Sequence, residues 1–379
     1  MNSHQPSLTQ AQAHATGTSG GLRASCGLIK EAWYAVCLSA ELKGAKRGGA
    51  GRPLGRKVLG ELLVVWRAAD GSPRVMQDRC LHRNALLSEG VVVEGCLACP
   101  YHGWMYDAEG RCAQVPSEGP QGAAGSAHVP RDARLVTYEA QEAHGLVWVW
   151  MGEGAPDRPP FEMPRWKARG WHSYYMKTPF ANNVTNCVEN FMDVPHTVFV
   201  HAGWFRSKRQ TAVKATVERT LDSVLVTYDQ PNDSVGASRR LLNPRGKPMR
   251  HTDKFYMPNN TRVDYEFGDE GEVDTAFIIT STCTPVGPME TMVYTLISYK
   301  LGWLGWLGRL FLPWYTRQVI EQDVVIMEIQ GRSLKHHGAP MFRSTPADAL
   351  HEHIEALRER AEAGEPPPPP VTEEMVFWI

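Results

Sequence analysis

Cys80-Leu81-His82-Arg83 and, one loop later, Cys99-Pro100-Tyr101-His102-Gly103-Trp104 are the two segments on which the reading of this chain turns. Working outward from them, short apolar runs separated by turn residues extend from Trp33 to about Gly154. Residues 62–66 predict one strand, and Asp70-Gly71 predicts a hairpin turn before a second strand at 74–76. Glu94-Gly95 and Glu109-Gly110 mark further turns, and 146–151 predicts a strong closing strand. The pattern is that of an antiparallel β-domain. Proline and charge then cluster at 155–164, which sets a boundary. Residues 1–28 are expected to form a disordered tail, 29–155 a first domain and 156–379 a second.

Each of the two quoted loops supplies one thiolate and one imidazole: Cys80 with His82, and Cys99 with His102. A [2Fe-2S] centre with two cysteines on one iron and two histidines on the other needs this supply, and its neutral imidazoles raise its potential. Two Cys with two His is also a structural zinc set, and Cys96 adds a Cys-x2-Cys pair with Cys99. Against zinc, a single residue separates the first Cys and His, whereas zinc fingers pair like with like at wider spacing. Cys96 is then expected to be an ordinary buried thiol. Gly103 allows close backbone approach next to the last ligand.

These segments resemble the two Rieske motifs of ring-hydroxylating oxygenase α-subunits, and the likeness runs from about Trp33-Tyr34 to Met151. The resemblance implies an α+β chain: an antiparallel β Rieske domain followed by a helix-grip-like antiparallel sheet catalytic domain. The residues of the second half are read beside it. Strands are predicted at 224–228, 275–280 and 292–298, with helices at about 316–331 and 347–363. Pro366 to Pro370 cannot continue a helix and predicts an extended, rigid spacer to the last five residues.

Within Glu189-Asn190-Phe191-Met192-Asp193-Val194-Pro195-His196-Thr197-Val198-Phe199-Val200-His201, two histidines stand five apart behind an aspartate. In a regular helix a five-residue step turns about 500°, so their rings would diverge by roughly 140°. They converge only if the helix widens or breaks, and Pro195 supplies a local reason. Non-haem Fe(II) that activates oxygen commonly takes two His and one carboxylate on one face. The third ligand must come from elsewhere. Asp323 lies in a strongly apolar helical segment, where a carboxylate is unfavourable unless paired or metal-bound, whereas Glu321 and Glu328 suit a solvent-facing position.

By resemblance, His196, His201 and Asp323 correspond to the family's iron ligands. Asp193 corresponds to an aspartate that bridges a Rieske histidine of one subunit, here His102, to an iron-ligand histidine of its neighbour, here His196. Asn190 corresponds to a polar residue beside the iron, while Glu189 reads as a helix-surface acid outside the site. The resemblance further implies a [2Fe-2S] cluster passing single electrons to Fe(2+), where oxygen is activated beside the substrate. Such chemistry needs electrons from NAD(P)H, and the chain has no G-x-G-x-x-G fingerprint. A separate reductase, with or without a ferredoxin, is the expected partner, and a three-fold ring of chains, a homotrimer, the expected assembly.

The substrate is less legible, because pocket shape rather than fold selects it. Phe255, Tyr256, Tyr265, Phe277 and Tyr294 are candidate pocket walls. The chain looks more like the single-subunit monooxygenase and demethylase branch, and oxygenases acting on sterol methyl groups are the favoured reading for a hydrophobic substrate, ahead of methoxy-arene O-demethylases and ring dioxygenases. A non-catalytic Rieske electron carrier would keep the four cluster residues without needing His196, His201 and Asp323. The run Trp303-Leu304-Gly305-Trp306-Leu307-Gly308 with Phe311-Leu312-Pro313-Trp314 reads either as a buried helix or as an exposed patch for lipid-like substrate or membrane-surface contact.

Composition bounds the rest. At 379 residues, two cores are expected. Forty basic against forty-one acidic residues give a charge of -1, which suggests neither nucleic acid nor an anionic membrane as partner. Residues 1–21 contain no apolar run of signal-peptide type, and the eight cysteines are spread through a large chain. A cytoplasmic, reducing location is therefore expected.

Overall fold

Among the described residues, eleven short strands build the first part of the chain. They are β1 (Trp33–Leu38), β2 (Leu54–Val58), β3 (Glu61–Arg67), β4 (Pro73–Gln77), β5 (Val91–Val93), β6 (Cys96–Ala98), β7 (Met105–Tyr106), β8 (Cys112–Gln114), β9 (Thr137–Tyr138), β10 (Ala140–Ala143) and β11 (Leu146–Trp150). Their antiparallel pairing gives three sheets, ordered β1-β11-β10, β2-β3-β4-β9 and β5-β6-β7-β8. The computed structural model describes residues 27–43, 51–119, 134–202, 211–229, 243, 245–269, 271–302, 305–338 and 340–378. The expected tail, apart from its last two residues, lies outside these, as do Trp303 and Leu304.

The continuous apolar run of β11 has a packing reason, since a strand covered on both faces needs no polar alternation. Val147 and Val149 enter a core with Leu63 and Val65. Leu146, Trp148 and Trp150 face the other way and pack with Tyr294 and Leu296 of the second part. Tyr294 also donates its hydroxyl to the Val36 carbonyl at 2.6 Å, and Thr284 donates to Ala35 at 2.7 Å.

The second part is one antiparallel sheet of eight strands: β12 (His172–Phe180), β13 (Ala212–Arg219), β14 (Ser223–Asp229), β15 (Met249–Tyr256), β16 (Asn260–Phe267), β17 (Thr275–Gly287), β18 (Glu290–Lys300) and β19 (Val371–Trp378). The order is β12-β18-β17-β16-β15-β14-β13-β19. Among the described residues three α-helices accompany it: α1 (Val184–Met192), α2 (Gly305–His337) and α3 (Ala349–Ala363). α1 packs on β15 to β18, α3 on α1 and β14, and α2 on β12. The buried Arg358 of α3 ties these pieces together, donating to Thr185 of α1 at 3.1 Å, to the Gly27 carbonyl at 2.8 Å and to the Pro258 carbonyl.

Two expectations change here. The helix predicted at 316–331 is the middle of α2, which continues back through Pro313 to Gly305 and forward to His337. The segment after the polyproline spacer forms β19, pairing with β13 from Ala212↔Trp378 to Arg219↔Val371. Its inward residues Met375 and Phe377 alternate with exposed ones, a period-two signal too short to read without its partner strand.

Candidate metal centres and substrate cavity

The two cysteine-histidine loops meet at the end of the β5-β8 sheet. The loop after β4 is pinned by Cys80 N–H donating to the Ala85 carbonyl and Asn84 N–H to the Cys80 carbonyl, both at 2.9 Å. Between β6 and β7, Cys99 N–H donates to Trp104 at 2.8 Å and Gly103 N–H returns to Cys99 at 3.1 Å. Gly103 has φ +72°, and a Cβ there would stand 3.1 Å from Pro116, so glycine serves both the turn and the packing. The thiols of Cys80 and Cys99 are buried beside each other, while His102 is exposed and His82 half-buried.

The His82 and His102 rings approach edge to face at 4.5 Å, and His82 stacks on Trp104 at 4.8 Å. Partial desolvation, aided by His102, lowers the pKa of His82 and favours the neutral form, the one that can hold a metal. The Tyr106 hydroxyl lies 3.3 Å from Cys80 Sγ and accepts from Leu81 N–H at 3.1 Å. Two buried sulfurs behind two outward imidazoles fit a cluster held by cysteines on its inner iron and histidines on its outer one. Cys96 is partly exposed rather than buried, because it sits at the start of a three-residue strand.

In the second part, α1 starts on an Asn183 cap whose side chain accepts from Asn186 N–H at 2.8 Å. It stops at Asp193, which is extended at φ −83°, ψ 102°. A 3₁₀ turn, Pro195–Val198, follows. This break removes the divergence a regular helix would impose: His196 Nε2 and His201 Nε2 come within 3.2 Å. Asp323 Oδ1, from the middle of α2, lies 3.5 Å from His196 Nε2 and 3.1 Å from His201 Nε2. The three ligand atoms all fall within 4.8 Å of one another.

The electrostatics fit a cation. Burial raises the pKa of Asp323, but the two imidazoles outweigh it and hold the carboxyl at about 2. Burial lowers that of His196, but Asp193 and Asp323 outweigh it and bring the ring to about 9. Asp323 Oδ1 and His196 Nδ1 are buried without an aligned hydrogen bond, the condition a bound metal relieves. Asp193 Oδ1 accepts from the His196 backbone N–H at 3.3 Å, and Oδ2 stands 3.6 Å from His196 Nδ1. Gln322 Oε1 is 2.8 Å from His201 Nδ1, a contact that turns Nε2 towards Asp323 and His196. Sequence reasoning passed over Gln322; its adjacency to Asp323 was the available signal. Glu321 and Glu328 are exposed. Glu189, expected on the surface, is partly buried, and desolvation followed by repulsion from Glu355 pushes its carboxyl up to about 8.

The triad borders a cavity of about 790 Å3 of empty space, part of it open to solvent. Asn190 lines it on the helix side, with its Nδ2 lacking a hydrogen bond. Met176, Val263, Phe277, Ile279 and Ile297 supply apolar wall. Of the five aromatic candidates, Tyr265 and Phe277 line the cavity. Phe255 is buried in the surrounding core, Tyr294 packs between the two parts, and Tyr256 packs at a tilt against Phe161. Elsewhere on α2, Trp306, Leu310, Phe311 and Trp314 are exposed, Leu310 by 74%, so the described part of the tryptophan-rich run presents a surface ridge. Among the described residues no helix is long and apolar enough to cross a membrane.

Comparison with known proteins finds a family match for each part of the chain. Residues 32–138 match the Rieske [2Fe-2S] domain, and residues 180–363 match the vanillate O-demethylase oxygenase C-terminal domain. Protein TIC 55, chloroplastic, of Arabidopsis thaliana is 27% identical over 327 residues, covering 82% of this chain and 55% of that protein. The chain thus spans little more than half the length of that relative. The oxygenase component of dicamba O-demethylase from Stenotrophomonas maltophilia is 30% identical over 240 residues, 62% of each chain. The structure of Pseudomonas putida NdmA with caffeine shares the fold at a TM-score of 0.68 and 22% identity, over 92% of this chain and 98% of that one.

Proposed function

We propose that this chain, which belongs to the Rieske non-haem iron oxygenases as an oxygenase component, hydroxylates or oxidatively demethylates a hydrophobic small molecule. The observation that carries this reading is the convergence of His196, His201 and Asp323 on an apolar cavity, in a chain that also brings together Cys80, His82, Cys99 and His102. When bound, the [2Fe-2S] cluster supplies single electrons and the mononuclear iron supplies oxygen activation.

The chain's own residues do the positioning. Asp193 orients His196, Gln322 orients His201, and the apolar wall excludes water from the reacting end of the substrate. The electron source is a separate NAD(P)H-dependent reductase, with or without a ferredoxin. In a three-fold ring, Asp193 would connect His196 to His102 of the adjacent chain. A reducing, cytoplasmic location is part of the same reading.

Relatives named as dicamba O-demethylase, methylxanthine N1-demethylase and vanillate O-demethylase support methyl groups on oxygen or nitrogen of a small ring compound. The apolar lining and the exposed tryptophan ridge support the sterol-methyl reading. Aerobic turnover with a generic reductase, against methoxy-arenes, N-methyl heterocycles and sterols, separates them by which loses a methyl group or gains a hydroxyl. Metal analysis decides the broader reading: about three iron atoms and two acid-labile sulfides per chain are expected. Purified protein with sulfide but no third iron would instead be an electron carrier.

A further inference from the structure

On the sheet side of the cavity, β15 carries His251 and Asp253 on its inward face, each only 1% exposed. Register places His251 between Tyr228 of β14 and Tyr265 of β16. The three rings stack, with centroids 4.4 Å apart on either side, so the imidazole is locked between two phenols. The Tyr228 hydroxyl donates to Asp253 Oδ2 at 2.9 Å. Asp253 Oδ1 stands 2.9 Å from His251 Nε2 but is not aligned for a hydrogen bond with it. Asp253 lines the cavity.

A buried oxygen in this state is unfavourable unless something else satisfies it. Other polar groups on the same side are accounted for: Ser281 and Thr295 pair their hydroxyls at 3.0 Å. Among the described residues that line the sheet side, Asp253 alone keeps an oxygen without a hydrogen bond. Apart from His251, whose ring nitrogen is not aligned with it, the neighbouring lining residues Val263, Phe277 and Ile279 offer this oxygen no donor, so an aligned one would have to come from the cavity. The triad occupies the opposite, helix side.

We propose that Asp253 is a substrate-recognition residue: it accepts a hydrogen bond from a hydroxyl, amine or other N–H group carried by the substrate on the side away from the carbon that reacts. The proposal rests on the oxygenase reading only in placing the reacting carbon beside the triad; donor recognition stands on the cavity itself.

Equilibrium binding to the holoenzyme, by calorimetry and without any reductase, tests it. The probes are 4-methoxyphenol against 1,4-dimethoxybenzene, 4-methoxybenzylamine against 4-methoxytoluene, and 4-methoxybenzoate. The donor-bearing member of at least one pair is expected to bind about tenfold tighter or more, the range of a hydrogen bond to a charged group. Asp253→Leu, which keeps the branched outline, is bulkier and has no acceptor, is expected to bring that ratio to about one. If this variant does not fold, Asp253→Asn, which keeps the shape and loses the charge, is expected to reduce the ratio severalfold. Equal affinity within both pairs of the unsubstituted protein, absent binding included, overturns the proposal. So does a preference for 4-methoxybenzoate, or an undiminished ratio in the variants. Probes bound with donor preference yet never oxidised when a reductase is added would leave this recognition standing and refute the oxygenase reading.

Discussion

Asp323 and Glu189 are two carboxylates that the packing treats in opposite ways. Asp323 faces two imidazoles and its pKa is lowered; Glu189 faces burial and Glu355 and its pKa is raised to about 8. For Glu189 the consequence is a stability that depends on pH. A carboxyl whose folded pKa lies above its unfolded value of 4.5 contributes fully below that value, and the contribution is lost as pH rises towards about 8. Between those limits the loss is at most about 1.4 kcal/mol per pH unit. Glu189→Gln should therefore gain on the parent as pH increases from 6 to 8.5, measured as urea-unfolding midpoints. A difference between the two proteins that stays constant with pH would refute this. The same comparison of residues explains why sequence alone misplaced Glu189: the acid of α3 that repels it, Glu355, is far away in the chain.

Among the elements, α1 and α2 place the triad, and each does so by departing from its simplest form. α1 ends before the histidines begin, and α2 runs 33 residues with a proline inside. Their mutual position is set by a close crossing. Asn182 Nδ2 donates to the Met327 carbonyl and to Gln330 Oε1, each at 2.9 Å, and a Cβ on Gly331 would come within 2.2 Å of the Ala181 carbonyl oxygen. Gly331→Ala is expected to push α2 away from this point at a cost of about 1–3 kcal/mol. Because Asp323 rides on the same helix, mononuclear iron occupancy should fall while cluster sulfide stays at the parental level. Chemical denaturation together with iron and sulfide analysis reads both effects; unchanged stability and iron content would show that the crossing is slack.

At the scale of the whole molecule, the proposed three-fold ring assigns Asp193 a role that a single chain cannot display. Native mass spectrometry is expected to find trimers. Asp193→Asn should keep both metals and slow turnover by at least about tenfold, with cluster oxidation decoupled from product formation in single-turnover experiments. A fully active monomer, or coupling unchanged in the variant, would remove that role. The exposed ridge of Trp306, Leu310, Phe311 and Trp314 is a second whole-molecule property that local pattern left open. An apolar helical run reads alike whether its outer face meets a core or water, since periodicity records side-chain spacing and not what lies opposite. The strand and turn pattern around Cys80, His82, Cys99 and His102, the two histidines behind Pro195 and the isolated Asp323 were all legible in the chain, because ligand type and short-range spacing are local properties. The break that lets His196 meet His201 was signalled locally by Pro195, whereas the Gln322 contact, β19 and the inward-facing Asp253 beside His251, itself held between two tyrosines, were decided by the tertiary structure. Each depends on a partner distant in sequence, and only packing determines which distant groups share a buried space.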